Sequence, residues 1–360
     1  MTKNSSAMRS TATFVVASIA VCLVGILVPC YQTEVATSAF LTGMLLKLIV
    51  PQYFPTLDNQ DDSLKDLRKM INSQSGEVSK NQTSFDLAII TSAQLPMTVR
   101  LYFAREKNVT IDIHQTPSWP VLIWFHGGGF VVGNYTTEDT ICSKIVEYTD
   151  FIVVSVDYRL APENKFPAGV NDAWDALQWT KHFIHNYGGD PHRIFISGES
   201  AGGNIAASVV ALNLDIDRTP LEAKVEIKGL ILFSPCLDHG VYLDSHFRYS
   251  DTFALLTLKQ MQYFWSLYLT DQVQDAADYR ACPMRTPANI LKNFPRTTIL
   301  LAKYDILLDE GLKFAQLLSS SDVPVQTVVY NDSYHSFFTR GLFPEKRTAE
   351  ICALMQSMVA

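Results

Sequence analysis

The chain has 360 residues, 48% of them hydrophobic and 18% charged, which suits one large buried core with attachments better than a chain of small domains. Its formal net charge of −7 supplies no basic footprint of the kind that phosphate neutralisation needs, so nucleic acid is excluded as a partner. The six cysteines, Cys22, Cys30, Cys142, Cys236, Cys282 and Cys352, show neither metal-ligand spacing nor a dense framework of bridges, and no disulfide is assigned to them.

Read from the N-terminus, Lys3 and Arg9 precede an uncharged stretch whose core, Phe14 to Val28, is almost continuously apolar and ends at Pro29. This is a membrane-targeting pattern, between a signal-peptide core and a full span in length. A second uncharged run, Val35 to Leu46, and the want of a clear cleavage site favour an uncleaved signal anchor over a cleaved signal. The two leading positive charges place the N-terminus in the cytosol and the remainder in the endoplasmic reticulum or secretory lumen, with secretion as the alternative. Four glycan-acceptor tripeptides follow, beginning at Asn81, Asn108, Asn134 and Asn331, and they have meaning only in a lumenal chain. Residues 1–50 are thus expected to form the anchor or signal region. Residues 51–83, polar with one helical pattern around Leu64 to Ile71, read as a connector or part of a lid, and residues 84–360 as the main domain.

From Ser84 the pattern changes. Phe85 to Ile90 and Met97 to Phe103 predict an antiparallel pair. Short apolar runs then alternate with helical ones: strands at Val121 to Phe125, Phe151 to Val156, Ile194 to Ser197, Gly229 to Phe233, Thr298 to Ala302 and Val325 to Tyr330. Helices are predicted at Thr140 to Thr149, Asn171 to Asn186, Gly203 to Leu214, Glu310 to Ser320 and Glu345 to Met358. Such alternation implies an α/β fold with a mostly parallel central sheet flanked by helices on both faces. The interval after the sixth strand, residues 237–295, breaks the alternation with a polar loop and an aromatic-rich helix around Leu258 to Tyr268, and reads as a lid insertion. Its aromatics, Tyr263, Phe264, Trp265 and Tyr268, suit either an acyl pocket or the packing of the lid on the core.

Three segments carry chemistry. Ser200 sits in Gly198-Glu199-Ser200-Ala201-Gly202-Gly203, between a strand and a helix, where flanking small residues allow a turn tight enough to project the hydroxyl as a nucleophile. His126-Gly127-Gly128-Gly129-Phe130 leaves the Val121 to Phe125 strand and suits an oxyanion hole, with the amides of Gly128 and Gly129 joined by that of Ala201 at a helix start. His126, Gly127, Gly198 and Gly202 support these two turns. A phosphate-binding loop is excluded because no Lys-Ser or Lys-Thr pair follows the glycines. A nucleophilic serine needs a base and an acid to orient it. His335 is the one histidine after the last strand, and Asp305, on the turn leaving the Thr298 to Ala302 strand, is a better acid than Asp309, which belongs to a helix start. No metal set is read: His182 and His185 share a helix face but nothing nearby completes a coordination shell. His192, His239 and His246 fall in turn or loop contexts.

From about Pro120 onward, the glycine motif, the segment Asp157-Tyr158-Arg159-Leu160-Ala161-Pro162-Glu163 with Phe166-Pro167-Ala168, the Ser200 turn, Asp305 to Gly311 and His335 together resemble the hormone-sensitive-lipase group of α/β-hydrolases. The resemblance implies an α/β-hydrolase fold with a lid built from the N-terminal region and the insertion. It also implies hydrolysis of a small-molecule carboxylic ester, short- to medium-chain or lipid-like, without a cofactor. Glu199 departs from the aspartate more usual in that group, and Ser336 stands where glycine usually follows the histidine. A ligand-binding or receptor-like protein of the same fold, without turnover, is the alternative.

Overall fold

A computed structural model describes residues 60–72, 82–104, 118–250, 256–339 and 345–359. The apolar segment Phe14 to Val28 lies outside them, and among the described residues no helix is long and apolar enough to cross a membrane. Eight strands form one sheet: β1 Gln82–Ile90, β2 Pro96–Ala104, β3 Trp119–Phe125, β4 Ile152–Val156, β5 Gly189–Glu199, β6 Ile227–Phe233, β7 Thr297–Tyr304 and β8 Val325–Tyr334. Their spatial order is β1-β2-β4-β3-β5-β6-β7-β8. β1 pairs antiparallel with β2, and β2 with β4; every later pairing is parallel.

The helices are α1 Gln60–Asn72, α2 Asp139–Tyr148, α3 Ala168–Phe183, α4 Ala201–Leu214, α5 Asp244–Arg248, α6 Leu258–Tyr268, α7 Ala288–Leu291, α8 Leu308–Ser319 and α9 Glu345–Ser357. Side chains on a strand alternate between faces, so the central strands feed two cores at once. Val121, Ile123 and Phe125 of β3 join Leu230 and Leu232 of β6 and the apolar faces of α3, α4 and α8 in one core. Leu122, Trp124, Ile231 and Phe233 face the other way, onto Ile141 and Ile145 of α2 and Ile351 and Met355 of α9. This double burial is why the strands read as unbroken apolar runs.

Element types agree with the sequence reading, while several ends move. α4 starts at Ala201, directly after Ser200, and α3 starts at Ala168. The interval between β6 and β7 carries α6 where it was expected and two short helices, α5 and α7, that the sequence did not signal. A run of five or four residues is too short to display a helical period.

Candidate active site

The sites of interest gather at the C-terminal ends of the parallel strands, the edge at which open α/β sheets hold ligands. β3 ends at the glycine motif, β5 at Ser200, β7 at Asp305 and β8 at His335.

Ser200 adopts φ 54° and ψ −117° between β5 and α4, a left-handed backbone that costs a non-glycine residue about 1–3 kcal/mol. Its surroundings enforce that conformation. The Ser200 N–H donates to Phe233 O at 2.9 Å, and the Ser200 carbonyl accepts from Asn204 N at 3.1 Å and Cys236 N at 3.2 Å. Gly198 and Gly202 are required by proximity: a Cβ on Gly202 would lie 2.0 Å from Phe125 O, and one on Gly198 would lie 2.4 Å from Gly202 O. Both contacts would be with backbone atoms, which have nowhere to go.

His335 Nε2 lies 3.0 Å from Ser200 Oγ, and His335 Nδ1 lies 2.8 Å from Asp305 Oδ2. A carboxylate only accepts, so Nδ1 carries the proton and Nε2 is left to accept from the serine hydroxyl. The second oxygen, Asp305 Oδ1, accepts from Leu307 N–H at 2.9 Å, which fixes the carboxylate plane. All three residues are buried. The meeting of acid and histidine depends on an irregularity in the sheet: β7 and β8 pair Ala302 with Tyr330 and then, after a register shift, Tyr304 with Tyr334. Regular pairing would have carried Asp305 to Ser333; the shift delivers His335 instead. Ser336, the next residue, takes φ 59°, which accounts for glycine as the usual residue there.

The glycine motif folds into a turn. Val131 N–H and Val132 N–H donate to Gly128 O at 3.1 and 3.0 Å, with Gly128 at φ 120° and Gly129 at φ 60°. Among the described residues, the amides of Gly128, Gly129 and Ala201 have no acceptor within the chain. Gly127 N–H is engaged, donating to Glu138 Oε1 at 2.9 Å, while Trp124 Nε1 donates to Glu138 Oε2. The buried Glu138, which the sequence did not single out, thereby ties the motif to β3. His126 is wholly buried, with its Nδ1 2.7 Å from Gly127 O and its ring stacked on Tyr158 at 4.3 Å between centroids. Burial pushes its imidazole down to about 4, so it is neutral.

Three of the four α6 aromatics pack against the core. Phe264, Trp265 and Tyr268 are buried, with the Tyr268 ring 3.9 Å from that of Phe130 and nearly parallel to it. Phe264 presses on the glycine turn: a Cβ on Gly129 would lie 2.5 Å from its ring. His246 differs from its loop reading. It is buried against Glu310, with Nε2 2.9 Å from Oε1, while its Nδ1 accepts from Leu243 N–H at 2.8 Å. Leu237 and Asp238 N–H also donate to Glu310 Oε2, so one carboxylate secures the start of the insertion to α8. The buried Glu199 accepts from Thr339 Oγ1. His182 Nδ1 lies 2.7 Å from Gln178 O of its own helix. Cys142, Cys236, Cys282 and Cys352 are free and buried.

Residues 122–339, more than half of the chain, match the family described as alpha/beta hydrolase fold. The chain belongs to the α/β-hydrolases, in the hormone-sensitive-lipase group. This α/β-hydrolase is 35% identical over 209 residues to Carboxylesterase NlhH of Mycobacterium tuberculosis, covering 58% of its own length and 63% of that relative. The match thus spans less than two thirds of that carboxylesterase. Arylacetamide deacetylase of Mus musculus is 26% identical over 324 residues, covering 73% of this chain and 77% of the relative. Among solved structures, a hyperthermophilic esterase from the archaeon Pyrobaculum calidifontis aligns with a TM-score of 0.74 at 30% identity, over 88% of this chain and 98% of that one.

Proposed function

We propose that this α/β-hydrolase is a carboxylic-ester hydrolase acting through Ser200, His335 and Asp305. The observation that carries the reading is the continuous hydrogen-bonded chain from Ser200 Oγ to His335 Nε2 at 3.0 Å and from His335 Nδ1 to Asp305 Oδ2 at 2.8 Å. As the hydroxyl attacks the ester carbonyl, its proton passes to Nε2, and Asp305 holds the imidazole in the productive tautomer and stabilises the imidazolium. The carbonyl oxygen, now negative, is received by the amides of Gly128, Gly129 and Ala201, the last at the start of α4 where the helix dipole adds to the field. His335 returns the proton to the departing alcohol, leaving an acyl-enzyme on Ser200. Water deprotonated by the same imidazole then attacks the acyl carbon, the Ser200 Oγ–acyl bond breaks as His335 returns that proton to Oγ, and the acid is released.

Purified wild-type protein should hydrolyse p-nitrophenyl esters of short acyl chains and label with a fluorophosphonate probe, and Ser200→Ala should do neither. Equal turnover by the two proteins would remove Ser200 from the mechanism. A folded wild type that neither turns over nor labels would instead indicate a binding protein. The substrate class is a short- to medium-chain or lipid-like ester, which an acyl-length panel tests: activity confined to the shortest chains argues against lipid-like substrates. We further propose, from the Phe14 to Val28 segment, that the domain is membrane-anchored on the lumenal side. Protease protection of the domain in sealed microsomes tests this, and digestion without detergent would refute it.

A further inference from the structure

The glycine motif follows β3 with no regular secondary structure to set its direction, so the aim of its amides depends on what holds its exit. Inside the turn, Val131 and Val132 close on the Gly128 carbonyl. Beyond it, Ala161 N–H donates to Phe130 O at 2.9 Å. Arg68 of α1 completes the attachment. Its Nε donates to Val131 O at 2.8 Å and its Nη2 to Ala161 O at 2.6 Å. The Nη1 and Nη2 atoms also pair with Glu163 Oε1 and Oε2 at 2.6 and 2.7 Å. One planar guanidinium therefore joins the end of the glycine turn to the Tyr158 to Glu163 segment, whose Tyr158 hydroxyl donates in turn to His126 O at 2.7 Å. The fixed fork of arginine suits these four oxygens on three residues, and a lysine cannot span them. α1 can deliver the fork because Leu64 and Leu67, one turn before and directly before Arg68, are buried in the core shared with β3 and α4.

We propose that Arg68 is a positioning residue for the oxyanion hole: by holding the Val131 and Ala161 carbonyls it sets the direction of the Gly128 and Gly129 amides. A helix far in sequence from the triad thereby governs transition-state stabilisation. The inference rests on the esterase reading above. A plain surface ion pair is the competing account, and burial separates the two. The Glu163 side chain is 58% exposed and can be solvated without its partner, so that pair alone contributes little. Val131 and Ala161, in contrast, are 0% and 1% exposed, and their carbonyls lose a charged donor if Arg68 is removed. The order of effects should be Arg68→Ala well above Glu163→Gln.

The experiment uses the full chain as wild type, Arg68→Ala, Arg68→Lys and Glu163→Gln. It compares p-nitrophenyl ester kinetics with the affinity for two ketones of one chain length. A trifluoromethyl ketone adds Ser200 Oγ to its carbonyl carbon, passes the serine proton to His335 and places an oxyanion in the hole; the methyl ketone stays planar. In Arg68→Ala, kcat should fall about 10- to 100-fold while KM stays within about threefold. Trifluoromethyl-ketone affinity should fall in step with kcat and methyl-ketone affinity should not move. Added guanidinium ion should restore part of the Arg68→Ala rate, and Arg68→Lys, the safer variant for folding, should fall between. Folded Arg68 variants with wild-type kcat would overturn the proposal, as would equal weakening of both ketones, which signals general damage to the pocket. A wild type that turns over while Arg68→Ala matches it defeats this inference alone; a wild type that neither turns over nor labels defeats the esterase reading and this inference with it.

Discussion

His126 makes the fold sensitive to mild acid, and its size can be worked out. The imidazole is wholly buried, stacked on Tyr158, and burial pushes it from the usual 6.5 down to about 4. Because the folded value lies below the unfolded one, the unfolded chain takes up the proton first. Stability is therefore intact above pH 6.5 and is lost progressively as pH falls to about 4. At about 1.4 kcal/mol per pH unit, that interval amounts to roughly 3 kcal/mol, a large share of a typical domain's total. Asp157 acts in the opposite sense. Burial pushes its carboxyl up from 3.8 to about 6, so its buried charge is relieved as pH falls through the same range, by a similar amount. The wild-type profile alone would hide both effects. His126→Asn isolates the imidazole, since asparagine can still donate to the Gly127 carbonyl but does not titrate. Urea unfolding at steps from pH 7 to pH 4 should show the wild-type advantage over the variant shrinking by roughly 3 kcal/mol. A difference that stays flat across that range would refute the reasoning.

Asp305→Asn should keep the fold, since the amide oxygen can still accept from Leu307 N–H, yet lower kcat about 10³- to 10⁴-fold by favouring the wrong tautomer of His335. Saturating ester kinetics check it, and a loss under about tenfold would remove Asp305 from its role. Gly129→Ala places a methyl 2.5 Å from the Phe264 ring on a backbone at φ 60°, and should lower stability by about 1–3 kcal/mol and kcat by about 100-fold or more. Adding Phe264→Ala should return part of the stability in thermal melts. Purely additive losses would mean that the two residues do not meet. Ser336→Gly relieves a side chain held at φ 59° and should raise stability by about 0.5–1 kcal/mol, read as a higher urea midpoint; a lower midpoint would contradict the strain.

Much of this architecture is local information. Strand and helix runs were legible because each central strand is buried on both faces and helices such as α2 and α8 on one, so hydrophobic period reports those elements directly, whereas α4 is buried nearly all round. Ser200, Asp305, His335 and the glycine motif were legible as types in an order, because a tight turn admits few residues and a nucleophilic serine needs two particular partners. The partners that steady those groups left no such mark. Glu138, His246 with Glu310, and Arg68 are ordinary polar residues at ordinary spacings, 11 to 95 positions from what they hold.

The amino-acid order by itself determined the layering of the sheet and which side chains sit at its C-terminal edge, since both follow from short-range pattern. Only the tertiary structure decided whether those side chains meet. The register shift between β7 and β8 puts His335 beside Asp305, and the α6 aromatics and the Arg68 guanidinium converge on one glycine turn. Contacts across such separations depend on how twisted, packed layers come together, and a one-dimensional pattern carries no record of that distance.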